Sequence, residues 1–384
     1  MALLIIIYLA FISLGLPDAL LGSSWTIMHS ELGVSIEFAG VIAMMISGGS
    51  IISSLYASRI MQKFDTGRVV AVSVAMTTVA LIGFSLSNSI WHLIFFAIPL
   101  GLGAGAVDAT LNNFVALHYK PRHMNLLHCF WGVGAAGGPL ILAFLLSRNG
   151  TWRDGYVTVG VLQVLLVAIL IMTLPMWKKL GTESGEQLGE NNEFISNRKA
   201  FGIKGVKLVL ITFLLYCSFE AAAGLWAASY LTTQRGVTPA DAAMWTSLYY
   251  GGITIGRFLS GMIANKIKGE TLIRAGLAIM TVGVLMLLLP LPTAFCMPGL
   301  ILIGLGCAPI FPSMIQLTPT RFGRGASQSI VGLSMAFAYV GCTFMPPLIG
   351  SVSAFSSMEI LPYALLLFVL GMIISSETLR KNNF

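Results

Sequence analysis

The stretch WKKLGTESGEQLGENNEFISNRKAFGIKGVK, residues 177–207, is where the character of the chain changes. It gathers ten charged residues among Gly and Asn, from Lys178 and Lys179 through Glu183, Glu186, Glu190 and Glu193 to Arg198, Lys199, Lys204 and Lys207. The rest of the 384 residues reads differently, because the whole chain is 56% hydrophobic and 10% charged, with a mean hydropathy of +0.86. Globular chains carry about 25% charged residues. Working outward from residue 177, apolar runs fall near 155–176, 125–147, 91–117, 69–87, 36–58 and 3–27. Beyond 207 they fall near 207–232, 242–264, 272–290, 293–318, 325–349 and 358–376. About 20 apolar residues cross roughly 30 Å of hydrocarbon as a helix, and a backbone in lipid must satisfy its own hydrogen bonds. The pattern therefore predicts an all-α polytopic membrane protein of twelve transmembrane helices. These form two six-helix pseudo-symmetric bundles, 1–177 and 207–384, joined by a linker over 178–206. It excludes a soluble enzyme, a nucleic-acid-binding domain and a disordered chain. The first run shows neither a basic start nor a small-residue cleavage site, so it reads as a span and not as a removed signal.

Charge gives the expected orientation. With the amino terminus inside, 19 of the 22 Lys and Arg fall on the inner side, leaving Arg148, Arg153 and Arg235 outside. Loops rich in Lys and Arg stay cytoplasmic, so both termini and the linker are expected there. The formal charge of +7 is thus a matter of topology, with the lipid bilayer and not nucleic acid as the partner. The five cysteines, Cys129, Cys217, Cys296, Cys307 and Cys342, are scattered through apolar text and read as small buried hydrophobes.

The halves share local text at matching places. Asp18-Ala-Leu-Leu-Gly22 in the first span answers Glu220-Ala-Ala-Ala-Gly224 in the seventh. GLGAGAVDA from Gly101 answers GLGCAPIFP from Gly304, and GGPLI from Gly137 answers PPLIG from Pro346. Parallel repeats of this kind occur in membrane carriers.

Of fifteen acids, three lie within spans: Asp18, Asp108 and Glu220. An acid at the bilayer centre costs about 2.5–3.5 kcal/mol on insertion scales and normally faces a cavity or a partner. Helical spacing puts Gly15, Gly22 and Trp25 on the face of Asp18, and Gly101, Gly105 and Asn112 on that of Asp108. Tyr216 and Gly224 share the face of Glu220. Small residues beside a carboxylate leave volume, and Trp, Tyr and Asn add stacking surface and hydrogen bonds, as a wet solute site needs. The alternative is a protonated acid that ties two helices. No Lys or Arg is expected mid-span beside these acids, Arg257 lying near the inner end of its span. Taking an acid out of water without a cation favours its neutral form, so Asp18 and Glu220 are the expected proton carriers. Asn113, Trp131, Trp226, Gln316, Gln328 and Tyr339 complete the candidate substrate contacts, each as open to a helix–helix role as to a ligand. Gln163 is a further polar candidate of the same ambiguity. The histidines show no metal-site spacing, and no cofactor is expected beyond the proton.

At this level the chain resembles the major facilitator superfamily, and within it the fucose/glucose permease-like branch of sugar:proton symporters. The loop Arg59-Ile-Met-Gln-Lys-Phe-Asp65-Thr-Gly67-Arg68 is similar to the superfamily's G-x-L-A-D-x-x-G-R/K turn, and Gly256-Arg257-Phe-Leu-Ser-Gly261 to its second copy. Asp108-Ala-Thr-Leu-Asn112 stands where the branch has Glu-Thr-Ala-Ala-Asn, and Glu220 to Leu231 resembles its Glu…Gly…Trp…Tyr-Leu pattern. The resemblance implies a monomeric carrier in a bacterial cytoplasmic membrane that takes up a hexose-like solute with a proton. On it, Asp18 looks like the proton-coupling acid, and Asp108 stands at a glutamate implicated in sugar recognition. The competing expectation is a proton-driven exporter of amphipathic or cationic drugs, which three unpaired acids would suit.

Overall fold

The structure is a computed structural model that describes residues 2–119, 121–177, 197–263 and 266–381. Within its helices the side chains at 2, 55, 57–59, 61–62, 113, 116–118, 121–122, 124–125, 197, 324–325 and 328 lie outside that description. The described elements are helical throughout. They run α1 Ala2–Asp18, α2 Leu20–Glu31, α3 Phe38–Lys63, α4 Thr66–Ser85, α5 Ile90–His118, α6 Pro121–Ser147 and α7 Trp152–Met172. After α8 Asn197–Gly202 come α9 Val206–Arg235, α10 Pro239–Ile263, α11 Gly269–Leu288, α12 Cys296–Cys307, α13 Ile310–Phe322, α14 Arg324–Phe355 and α15 Ile360–Lys381. Ten stretches among the described residues are long and apolar enough to cross a membrane, so the chain is an all-α, multi-span protein. Leu3–Glu31 joins α1 and α2 in one stretch, and Thr293–Phe322 joins a 3-10 turn, Thr293–Phe295, with α12 and α13. Phe38–Lys63 has a shorter apolar part, Phe38–Ser54.

The helices cluster in two compact units, Met1–Leu188 with Thr238–Ser247, and Gly189–Val237 with Leu248–Phe384. Each is held by seams where glycine lets backbones touch. In the first unit a Cβ at Gly134 of α6 would lie 2.1 Å from the Ile12 carbonyl of α1, and one at Gly101 of α5 would lie 2.1 Å from that of Ile46 on α3. In the second unit Gly341 of α14 stands 2.5 Å from the Leu214 carbonyl of α9 by the same measure, and Gly304 of α12 2.1 Å from that of Tyr249 on α10. Tyr249 follows Ile46, and Gly304 follows Gly101, by the same 203 positions. The pseudo-symmetry is thus present in contacts as well as in text, since side-chain-free approach is what van der Waals packing between spans requires.

Two arginines close loops at one end of each unit. Arg153 pairs with Glu31 and donates to the Ser87 carbonyl at 3.0 Å and to Asn88 Oδ1 at 3.1 Å. Arg235 donates to the Tyr230 hydroxyl at 2.8 Å and to the carbonyls of Leu287 and Leu289. These are two of the three basic residues that the charge pattern leaves on the outer side, and both are consumed in structure.

Candidate functional site

The first unit builds its polar centre from a proline. Pro17 lacks an N–H, so the carbonyl four residues back, Ser13, loses its helical partner. Gln163 of α7 replaces it, donating from Nε2 to the Ser13 oxygen at 2.8 Å, while its Oε1 accepts from Thr77 Oγ1 at 2.8 Å. The amide is buried and joins α1, α4 and α7; of its two readings, the helix–helix one holds. One residue after the proline α1 stops at Asp18, and α2 starts at Leu20. Asp18 is exposed although it stands in the middle of the Leu3–Glu31 span. An acid facing hydrocarbon there would be costly, so the exposure marks a wet face.

Asp18 is held by Trp131, whose Nε1 donates to Oδ2 at 2.7 Å. The indole reaches it because Gly15 brings the backbones together: a Cβ there would lie 2.1 Å from the Trp131 carbonyl. Asp108 of α5 lies within electrostatic reach of Asp18. One turn on, Asn112 donates to Asp108 Oδ1 at 2.9 Å and to its carbonyl at 3.0 Å. Both side chains are half-buried. A carboxylate whose Oδ1 is engaged and whose Oδ2 takes no hydrogen bond among the described residues, beside an amide, matches the chemistry of hydroxyl recognition.

The second unit corrects one expectation. Glu220 does have a cation: Arg257 Nη2 lies 3.4 Å from Glu220 Oε1, with the side chains 16% and 19% exposed. The position of Arg257 along α10 is as expected, but a long side chain can carry its charge far from its own Cα, and here it turns inward. Tyr249 donates to the Glu220 carbonyl at 3.2 Å, and Gly224 leaves room for the Tyr250 hydroxyl, which would lie 2.1 Å from a Cβ there.

Of the remaining candidates Tyr216 lies beside the Glu220–Arg257 pair, while Trp25 and Trp226 are turned to other partners. Trp25 is fully buried, and its Nε1 donates to the Ile36 carbonyl at 2.7 Å; Trp226, equally buried, donates to the Pro346 carbonyl at 2.9 Å. Neither offers a ring face to a solute. Tyr216 is buried and donates to the Cys307 carbonyl at 3.2 Å. A buried indole or phenol needs such a partner for its polar atom. Gln316 and Tyr339 are exposed, and the side chains of Asn113 and Gln328 lie outside the described residues. Sequence reasoning missed Pro17, and it set Arg257 aside as lying too near the inner end of its span. The signal for the first was a proline one residue before an intramembrane acid. Among the described residues no three His, Cys, Asp or Glu gather as metal ligands.

Comparison with known proteins adds the following. The family model described as Major Facilitator Superfamily matches residues 7–346. The glucose/mannose transporter GlcP of Bacillus subtilis is 24% identical over 352 residues, covering 89% of this chain and 86% of that protein. Among solved structures, the nucleoside transporter NupG superposes with a TM-score of 0.78 at 12% identity, covering 99% of both chains. The inward-open xylose transporter XylE from E. coli gives 0.75 at 11% identity, covering 99% of this chain and 95% of that one. At such identities the structural likeness is a likeness of fold.

Proposed function

This chain belongs to the Major Facilitator Superfamily, and from that premise we propose that it is a proton-coupled importer of a small, neutral, hydroxyl-rich solute of hexose type. On this reading twelve spans form two bundles, 1–177 and 207–384, around a cytoplasmic linker at 178–206, and both termini are cytoplasmic. Alternating access carries one solute per cycle through a single chain in the bacterial cytoplasmic membrane. The observation that carries the reading is Asp18. It is an exposed acid at a helix break in mid-span, held by a neutral indole N–H and close to a second acid. An acid so placed can gain and lose a proton without dismantling an ion pair.

Asp108 and Asn112 are the proposed hydroxyl-binding pair of the first unit, and Glu220 with Arg257 supplies acceptors and donors in the second. The relative named as a glucose/mannose transporter supports the fucose/glucose permease-like branch and the sugar class. The exporter of cationic compounds loses part of its footing, since Glu220 is compensated by Arg257 and the three unpaired acids become two.

The test uses purified protein in proteoliposomes. Asp18→Asn is expected to abolish uphill, proton-driven sugar uptake while sugar counterflow continues. If Asp18→Asn still concentrates the sugar, the coupling role belongs elsewhere. If the well-folded wild type binds no member of a hexose series, the substrate class is wrong.

A further inference from the structure

Of the three basic residues that the charge pattern leaves outside, Arg148 alone enters no ion pair or hydrogen bond with a loop among the described residues. Its guanidinium lies over the ring of Phe144, 4.4 Å from the centroid, a contact that leaves its N–H donors free to meet a ligand. Phe144 in turn lines a groove of about 640 Å³ between α6, α7 and the first turns of α10, and every lining residue belongs to the first unit. Small-ligand sites run from about 300 to 1,000 Å³. The apolar wall is open and not filled by neighbours, since Leu140, Phe144 and Met244 are 46%, 53% and 38% exposed.

The polar side chains that line the groove can only accept hydrogen bonds. Ser147 spends its hydroxyl hydrogen on the Phe144 carbonyl at 2.8 Å, and Thr158 spends its own on that of Asp154 at 2.7 Å. An ionised carboxylate has no donor at all. Oδ2 of Asp241 takes the Thr238 hydroxyl at 2.7 Å, while Oδ1 takes no hydrogen bond among the described residues, and Asp241 is exposed and enters no ion pair there. A ligand seated here must therefore bring N–H donors and, beside the carboxylate, positive charge. The groove is also graded along its length. Ser147 ends α6 and Asp241 lies in the first turn of α10, whereas Leu140 and Met244 stand deeper in the same helices. At 1.5 Å per residue Leu140 is about 10 Å from Ser147 along α6. Polar at the span ends and apolar further in is the gradient of a phospholipid.

We infer that this groove binds a phospholipid with a primary ammonium head, of the phosphatidylethanolamine class. The ammonium donates to Asp241, the phosphodiester faces Arg148, and the upper acyl carbons lie along Leu140, Phe144 and Met244. The two charges of such a head answer the two charges that the protein leaves unpaired, and guanidinium forks match phosphate oxygens. A choline head carries the charge without an N–H, and a glycerol head carries hydroxyls without the charge. The site does not depend on what is transported.

The experiment titrates purified full-length protein with short-chain phosphatidylethanolamine, with phosphatidylcholine and phosphatidylglycerol of the same chain length, and with a primary alkylammonium of matching tail, reading bound ligand by native mass spectrometry. Phosphatidylethanolamine is expected to bind about tenfold more tightly than each of the other three. Asp241→Asn keeps an oxygen for the Thr238 hydroxyl; it should lower phosphatidylethanolamine affinity by roughly tenfold, as loss of one charge-assisted bond does, and leave phosphatidylcholine unchanged. Arg148→Gln should weaken both lipids several-fold, since both carry the phosphodiester. The wild-type ligand series and Arg148→Gln, at an exposed position, decide the matter should Asp241→Asn fold poorly. Equal binding of phosphatidylethanolamine and phosphatidylcholine, or an undiminished preference in Asp241→Asn, would overturn the ammonium assignment. Arg148→Gln without effect on either lipid would overturn the phosphate assignment, and phosphatidylglycerol binding most tightly would reject a zwitterionic head. An alkylammonium binding as tightly as the lipid would reassign the groove to soluble amphipathic amines.

Discussion

The pair Glu220–Arg257 can be broken in a way that gives a number. At 3.4 Å and an effective dielectric constant of 20, two unit charges attract by about 5 kcal/mol before desolvation is subtracted. Both side chains are less than one fifth exposed, so screening by water is weak, and removing one partner of such a pair typically costs about 3–5 kcal/mol because the other charge is left alone. The separation is long for a charge-assisted bond, which places this pair at the low end of that range. Arg257→Met and Glu220→Gln are therefore each expected to cost about 3 kcal/mol of unfolding free energy, measured by denaturation of the purified protein in mixed detergent micelles. Neutralising both sides leaves no orphan charge, so Glu220→Gln/Arg257→Met should cost no more than either single change. The coupling energy from the cycle, single losses against the double, should then be about 3 kcal/mol or more. A coupling below about 0.5 kcal/mol, with the two losses simply adding, would refute the argument: the contact would then be a proximity without energetic consequence.

Other expectations use the same unfolding assay or simple labelling. Gln163→Leu strands the Ser13 carbonyl left free by Pro17 and should cost about 2–4 kcal/mol, at about 1–3 kcal/mol for each buried group left unpaired, whereas Gln316→Leu at an exposed site should stay within about 0.5 kcal/mol. Gly134→Ala puts a Cβ 2.1 Å from the Ile12 carbonyl and should lower the yield of folded protein sharply. Gly332→Ala, with no atom within 4 Å of the new carbon, should be neutral or gain up to about 1 kcal/mol from helix propensity. In intact cells, a membrane-impermeant thiol reagent should label Ser89→Cys and spare Ser184→Cys; labelling at 184 from outside would reverse the proposed orientation.

Much of the helical plan could be read from the sequence because span length and charge spacing are one-dimensional quantities. The apolar runs and the charged break at 177–207 needed no knowledge of contacts. The repeat was legible where glycine seams anchor it: Gly101 and Gly304 were paired by their text, and both make the same carbonyl approach. It was one residue out in the fifth-span match. Text aligns Pro139 with Pro347, whereas the packing of Gly134 on Ile12 and of Gly341 on Leu214 aligns Pro139 with Pro346. One residue turns a helix face by about 100°, and apolar text carries too little information to fix that. For Trp25, Trp226 and Arg257 the limit is different. Residue type and helix face cannot say whether an indole meets a solute or a carbonyl, nor which way a long side chain turns. Those depend on neighbours far along the chain, Ile36, Pro346 and Glu220 among them.

Asp18 and Glu220 occupy corresponding places in the repeat, and among the described residues they differ most in what holds them. The first leans on an indole N–H, the second on a guanidinium. An indole donates a hydrogen bond but brings no charge, so the carboxylate beside it alters the net charge of its surroundings each time it takes or releases a proton. A guanidinium cancels the carboxylate instead and leaves a neutral pair with fixed donors and acceptors. On the proposed function this asymmetry divides the labour between the units. Proton coupling falls to the first, where Asp18 is held by a neutral donor. The second offers the solute a hydrogen-bonding surface of paired donors and acceptors. Asp18→Asn and Glu220→Gln should accordingly fail differently, the former losing accumulation and keeping exchange, the latter losing affinity in both modes. Identical failure of the two variants in uptake and in counterflow would remove the division.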